Sequence, residues 1–142
     1  MVVLDAYAVI AFLRDEVAAD EVAELLRQPT AMSVVNAAEV TDHLIRMAGL
    51  SEDEAAIRMR MLSATGMSLV DADDVIATRA GEIRSRHYDR ATCAISLADC
   101  FAVATCAHIG AALATADVPL ATVARAEGGE VIALPDSRGV RP

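Results

Sequence analysis

Four carboxylates, Asp5, Glu39, Asp99 and Asp117, each stand where a short apolar run gives way to a helix-like segment, and they span nearly the whole chain. Singly, such an acid is explained by capping, because a carboxylate at a helix start accepts from free N–H groups and complements the helix dipole. Together they suggest a shared site. Hard divalent cations such as Mg²⁺ and Mn²⁺ prefer oxygen ligands, commonly carboxylates, with waters and substrate phosphates completing the shell. Without a cation, converging acids raise one another's pKa values. With one or two ions bound, such a site activates a water and stabilises charge on a phosphoryl oxygen.

To meet, the acids need elements that share an edge, as strand ends and the following helix starts do in a parallel α/β sheet. Val2-Val3-Leu4 reads as a strand ahead of Asp5, and Ala6 to Leu13 as the helix after it. Residues 17–27 have close to helical spacing of apolar positions and stop at Gln28-Pro29. Residues 31–35 read as a second strand, and Asn36-x-x-Glu39 as an N-cap with an acid at the third helical position. Ser51-x-x-Glu54 repeats that signature and opens a helix towards Leu62. Residues 67–70 read as a third strand, after which Asp71 or Asp73 caps a helix to about Arg86. Ser96-Leu97-Ala98-Asp99 opens another helix, stopped by Gly110; residues 111–115 form a fourth strand before Asp117, and residues 131–134 a fifth. The expectation is an α/β domain over residues 1–135, three layers deep, with a central, mostly parallel sheet of about five strands flanked by helices. Residues 136–142 read as a flexible polar tail.

Composition narrows the chemistry. The chain has 142 residues, 55% of them hydrophobic, with two Tyr, two Phe and no Trp, so one domain with an aliphatic core is expected. Three cysteines without metal-knuckle spacing suit a reduced, cytoplasmic setting. No secretory leader pattern is present, and the most lipid-like stretch, Cys100 to Ala116, is shorter than a membrane span. A net charge of −9 disfavours general phosphate-backbone binding, so any nucleic-acid contact must be local. All twelve basic residues are Arg. A phospho-acceptor receiver or a haloacid-dehalogenase-like phosphatase relies on a lysine beside the phosphoryl group, and the latter also needs a second Asp where Tyr7 stands.

With the acids and their elements in view, Val2-Val3-Leu4-Asp5-Ala6-Tyr7-Ala8, Asn36-Ala37-Ala38-Glu39-Val40, Leu97-Ala98-Asp99-Cys100 and Ala114-Thr115-Ala116-Asp117 resemble the four acidic motifs of the PIN-domain family. Their order and spacing resemble the VapC-type ribonuclease toxins of bacterial toxin–antitoxin pairs, over roughly residues 2–134. The resemblance implies an Mg²⁺- or Mn²⁺-dependent ribonuclease acting on RNA, usually homodimeric and inhibited by a VapB-type antitoxin. It implies Asp5 and Asp99 as main metal ligands, Asp117 as a further direct or water-mediated ligand, and Glu39 as a ligand or water-orienting group. Thr115 would support the last acid, and Ser96 the third. Two positions depart from the family pattern: Tyr7 replaces a common Ser or Thr, and Ala98 a common Gly. Tyr7 is placed to fill part of a substrate groove or to hydrogen-bond a phosphate. The alternative function is a catalytically weak PIN-like scaffold binding RNA or a protein.

The remaining polar residues have ordinary readings beside functional ones. Arg84, Arg86 and Arg90 gather with Arg79 near a helix end, where cations suit the dipole, and are the best candidates for RNA contact in an acidic chain. Asp42 and Arg46 form an i,i+4 surface pair. His43 follows Glu39 by one turn, as a surface histidine or a supporting group. The cysteines read as core side chains.

Overall fold

A computed structural model describes residues 1–142, and its elements alternate in the expected order. They are β1 (Val2–Leu4), α1 (Ala6–Leu13), α2 (Ala19–Leu25), β2 (Thr30–Ser33), α3 (Val34–Arg46), α4 (Glu52–Ala64) and β3 (Ser68–Val70). Then follow α5 (Asp74–His87), α6 (Leu97–Ile109), β4 (Ala112–Thr115), α7 (Val118–Ala126) and β5 (Val131–Ala133). The five strands form one sheet in the order β3-β2-β1-β4-β5, and every pairing is parallel.

Alternation along the strands makes the layers, since successive side chains point to opposite faces. Val2, Leu4, Met32 and Ala114 face one cluster built with residues of α1 to α4, among them Val9, Val22, Val40, Leu44 and Leu62. Val3, Ala31 and Leu113 face a second cluster built with α5, α6 and α7, including Ile76, Ile83, Val103 and Leu120. Both faces of the sheet are therefore covered, as an all-parallel sheet requires. The cores are aliphatic, as the scarcity of aromatics dictates.

Helix starts are fixed by short polar side chains. Ser51 and Glu54 form a reciprocal capping box on α4, and Ser96 and Asp99 form another on α6. Asp73, rather than Asp71, caps α5. The second strand is shorter than its sequence pattern: Val34 and Val35 belong to α3, and the cap is Ser33, whose Oγ accepts from Val35 N and Asn36 N. The reason lies in burial. Ser33 is 1% exposed at the strand end, so its hydroxyl supplies the acceptor those buried N–H groups need. Asn36 is thereby carried one turn into the helix. The amphipathic segment after α1 is helical over Ala19–Leu25 only. No helix is long and apolar enough to cross a membrane.

The last seven residues, expected to be a flexible tail, make defined contacts. The Asp136 carboxylate accepts from Arg138 N and Val140 N. Arg141 donates to the Ala133 carbonyl at 2.6 Å and to Glu21 at 2.7 Å.

Candidate functional site

The sheet delivers the acids to one edge. Asp5 directly follows β1, its N–H donates to Ala114 O of β4, and one carboxylate oxygen accepts from Ala8 N at 2.7 Å to cap α1. Asp117 follows β4 by two residues and caps α7 through Leu120 N at 2.6 Å. Asp99 sits in the first turn of α6 and accepts from Ser96 N at 2.9 Å. Glu39 lies farther along α3, beyond the helix start. The acids are graded in depth: Asp5 is 3% exposed, Asp99 is half-buried, and Glu39 and Asp117 stand exposed at the rim.

They also share an electric field. Burial pushes the Asp5 carboxyl up to about 7; the Thr115 hydroxyl and the Ala8 N–H counter this, and the Asp99 and Asp117 charges add to it. Asp99 is raised by burial and by Asp117, against the lowering effect of Ser96. Glu39 is raised by partial desolvation and then by Asp99, while Asn36 lowers it. No arginine figures among the charges acting on Asp5, Glu39 or Asp99. The repulsion thus goes unrelieved by the protein itself.

This donor set fits a hard divalent cation in its chemistry: carboxylate oxygens, one deeply buried, with no cationic side chain to neutralise them. The fit in geometry is incomplete. No three His, Cys, Asp or Glu side chains are gathered closely enough to form a ready metal-ligand set. The caps engage Asp5 Oδ1, Asp99 Oδ2 and Asp117 Oδ1 with backbone N–H groups. The other oxygens of Asp99 and Asp117 have no hydrogen-bond partner in the protein.

The supporting residues sort unevenly. Ser96 holds Asp99 in its capping box, and Thr115, fully buried, accepts from Asp117 N at 3.0 Å while lying against Asp5. Tyr7 is half-buried in α1 and donates its hydroxyl to the Pro135 carbonyl at 3.0 Å. Arg86 pairs with Glu127 at 2.9 Å, alongside Arg79 and His87. Arg84 makes no ion pair and stacks over Tyr88, its carbon centre 4.3 Å from the ring centroid. Arg90 is exposed in the α5–α6 connection. His43 meets Arg14 at 3.2 Å on the surface.

One residue of the site was misjudged from sequence. Asn36, expected as a cap, is 0% exposed, and its Nδ2 donates to the Ala98 carbonyl at 3.3 Å, tying α3 to the first turn of α6 beside Asp99. Its Oδ1 is buried without a partner. The only signal was its spacing of three from Glu39, which a cap explains equally well.

Fold and site define a parallel α/β domain in which Asp5, Asp99 and Asp117 act on one another's charge and Asp99 acts on Glu39. The chain belongs to the PIN-domain family, whose model matches residues 2–126. A search of curated protein sequences found no match. Among solved structures the chain is similar to Mycobacterium tuberculosis VapC20, described as a sarcin-ricin loop cleaving toxin, with a TM-score of 0.70 and 16% identity over 100% of both chains. It is similar also to a chain of VapBC2 from Rickettsia felis, solved with a DNA fragment from the promoter, at TM-score 0.71 and 14% identity over 94% of this chain and 99% of that one. A chain of the FitAcB structure from Neisseria gonorrhoeae gives a TM-score of 0.64 and 22% identity over 93% and 96%.

Proposed function

We propose that the chain is a divalent-metal-dependent endoribonuclease, the toxin of a type II toxin–antitoxin pair. What supports this reading is the mutual charge of Asp5, Asp99 and Asp117, with Asp5 buried and raised to about 7 and no arginine among the charges acting on it. Asp5 and Asp99 are assigned as principal ligands of Mg²⁺ or Mn²⁺, Asp117 as a further ligand, and Glu39 as ligand or orienter of the attacking water. A bound cation would lower the pKa of that water and draw charge from the phosphoryl oxygens. Thr115 and Ser96 fix the directions of the acids beside them. Arg84, Arg86, Arg90 and Tyr7 are the candidate RNA contacts. The likeness to toxin–antitoxin structures supports a VapB-type antitoxin as partner; a homodimer as the assembly and the cytoplasm as the site of action complete the proposal.

Antitoxin-free protein incubated with Mn²⁺ and structured RNA should cleave it, and Asp99→Asn should reduce the rate by at least about 100-fold, as loss of a principal metal ligand does. Equal cleavage by the variant would sink the assignment. A second reading, a PIN scaffold that binds without cutting, is favoured by the absence of a ready ligand set. Thermal melting separates the two, since an ion that binds only the folded state must raise the Tm. An unchanged Tm in millimolar Mn²⁺, with RNA left intact, would favour the scaffold.

A further inference from the structure

Beyond the acids, the α5–α6 junction carries an open groove of about 400 Å³ lined by Gly81, Arg84, Ser85, Tyr88 and Leu97. That size lies within the range of small-ligand clefts. Its charge is unusual for this chain. Arg79 and Arg86 of α5 are drawn onto Glu127, whereas Arg84 has no carboxylate partner, and its Nε is buried without a hydrogen bond. The guanidinium lies over the Tyr88 ring. Tyr88 stays 43% exposed and Leu97 50% exposed, so an apolar wall stands beside an unneutralised cation.

Leu97 opens α6, and Asp99 lies two residues on in the same turn, so the groove and Asp99 belong to one helix start but face different sides of it. The geometry points to a nucleotide subsite for single-stranded RNA at the α5–α6 junction: a backbone phosphate on Arg84, and a base against Tyr88 and Leu97. A cation beside an aromatic face is the usual combination for holding single strands without reading sequence. It also answers a difficulty posed by the net charge of −9. At this groove the acidic protein grips RNA through an unpaired arginine rather than through a basic stripe. This subsite rests on the ribonuclease reading only for its role, and its binding can be tested separately.

The test uses the full chain in EDTA, with a dye-labelled single-stranded decaribonucleotide followed by fluorescence anisotropy at several salt concentrations. Arg84→Gln should weaken binding about tenfold and reduce the slope of log K against log salt by about 0.7, the share of one phosphate on a single strand. Tyr88→Ala should also weaken binding about tenfold with the slope unchanged, and should have no effect on an abasic oligomer. Arg84→Lys, which keeps the charge, should retain the slope and guards against misfolding of the Gln variant. Arg27→Gln, on the exposed turn after α2, should behave as wild type. The subsite is overturned if Arg84→Gln binds RNA within twofold of wild type with an unaltered slope, or if wild type binds no RNA. It is equally overturned if a glutamate-rich peptide depends on Arg84 while RNA does not, which would make the groove a protein-docking site. RNA binding that needs Arg84 and Tyr88, without any cleavage in Mn²⁺, leaves the subsite standing and removes the nuclease reading.

Discussion

Asp5→Asn should make the metal-free protein more stable at neutral and alkaline pH. The wild-type carboxyl is pushed from 3.8 up to about 7, mainly by burial. Below pH 3.8 both folded and unfolded chains hold the proton, and burial of the neutral acid costs little extra. Between 3.8 and about 7 the unfolded chain has released its proton while the folded one retains it, so stability falls as pH rises. Above about 7 the folded chain bears a buried carboxylate, and the full shift corresponds to about 4 kcal/mol at 1.36 kcal/mol per pKa unit. Local relaxation reduces the realised cost, so about 2–4 kcal/mol is expected. Asparagine keeps an oxygen for the Ala8 N–H and the cap of α1 and carries no charge. Urea denaturation at pH 8 in EDTA should therefore show a higher midpoint for the variant, with the gap closing towards pH 4. Adding Mn²⁺ should stabilise wild type more than the variant, because an adjacent cation favours the ionised acid. A variant no more stable than wild type at pH 8 in EDTA would refute the reasoning.

Three further outcomes follow from particular contacts. Glu127 would be raised by burial, but hydrogen bonds from Arg86 and His87 hold it below 4.5. Its stabilising contribution is therefore complete above pH 4.5 and lost as pH falls through the lowered value. Glu127→Gln should cost about 1–2 kcal/mol at pH 7, after discounting for the exposed arginines, and progressively less as pH falls through that lowered value, as read by thermal melting. Asn36→Ala removes the buried link from α3 to Ala98 and should lower Mn²⁺-dependent cleavage by about tenfold, in line with other groups that orient ligands. Tyr7→Phe loses the hydrogen bond to Pro135 and should cost about 1 kcal/mol in denaturation.

Strand and helix order was legible because the strands are short runs of apolar residues and the helix starts carry Ser or Asp. The boundary at α3 was not, since Val34 and Val35 favour a strand intrinsically while the buried Ser33 hydroxyl wins the cap. Asp5, Asp99 and Asp117 follow from their positions after apolar runs, and the structure does draw them into one field. What no local pattern discloses is the fate of individual cations. Arg86 is claimed by Glu127, 41 residues away, while Arg84, two positions earlier, is left unpaired. The deep burial of Asn36 is likewise a product of how α3 meets α6.

The placement of β1 sets a timetable for translation. Made first, this strand ends at the middle of the sheet, and one of its two neighbours begins only at Ala112. A nascent chain on the ribosome therefore carries an Asp5 with no partner at Ala114 until β4 has been made. A message cut short before the codon for Asp117 yields a product lacking the last acid, and one cut before Ala112 leaves β1 with an open flank. The acids at this edge can meet only after β4 and Asp117 have been made.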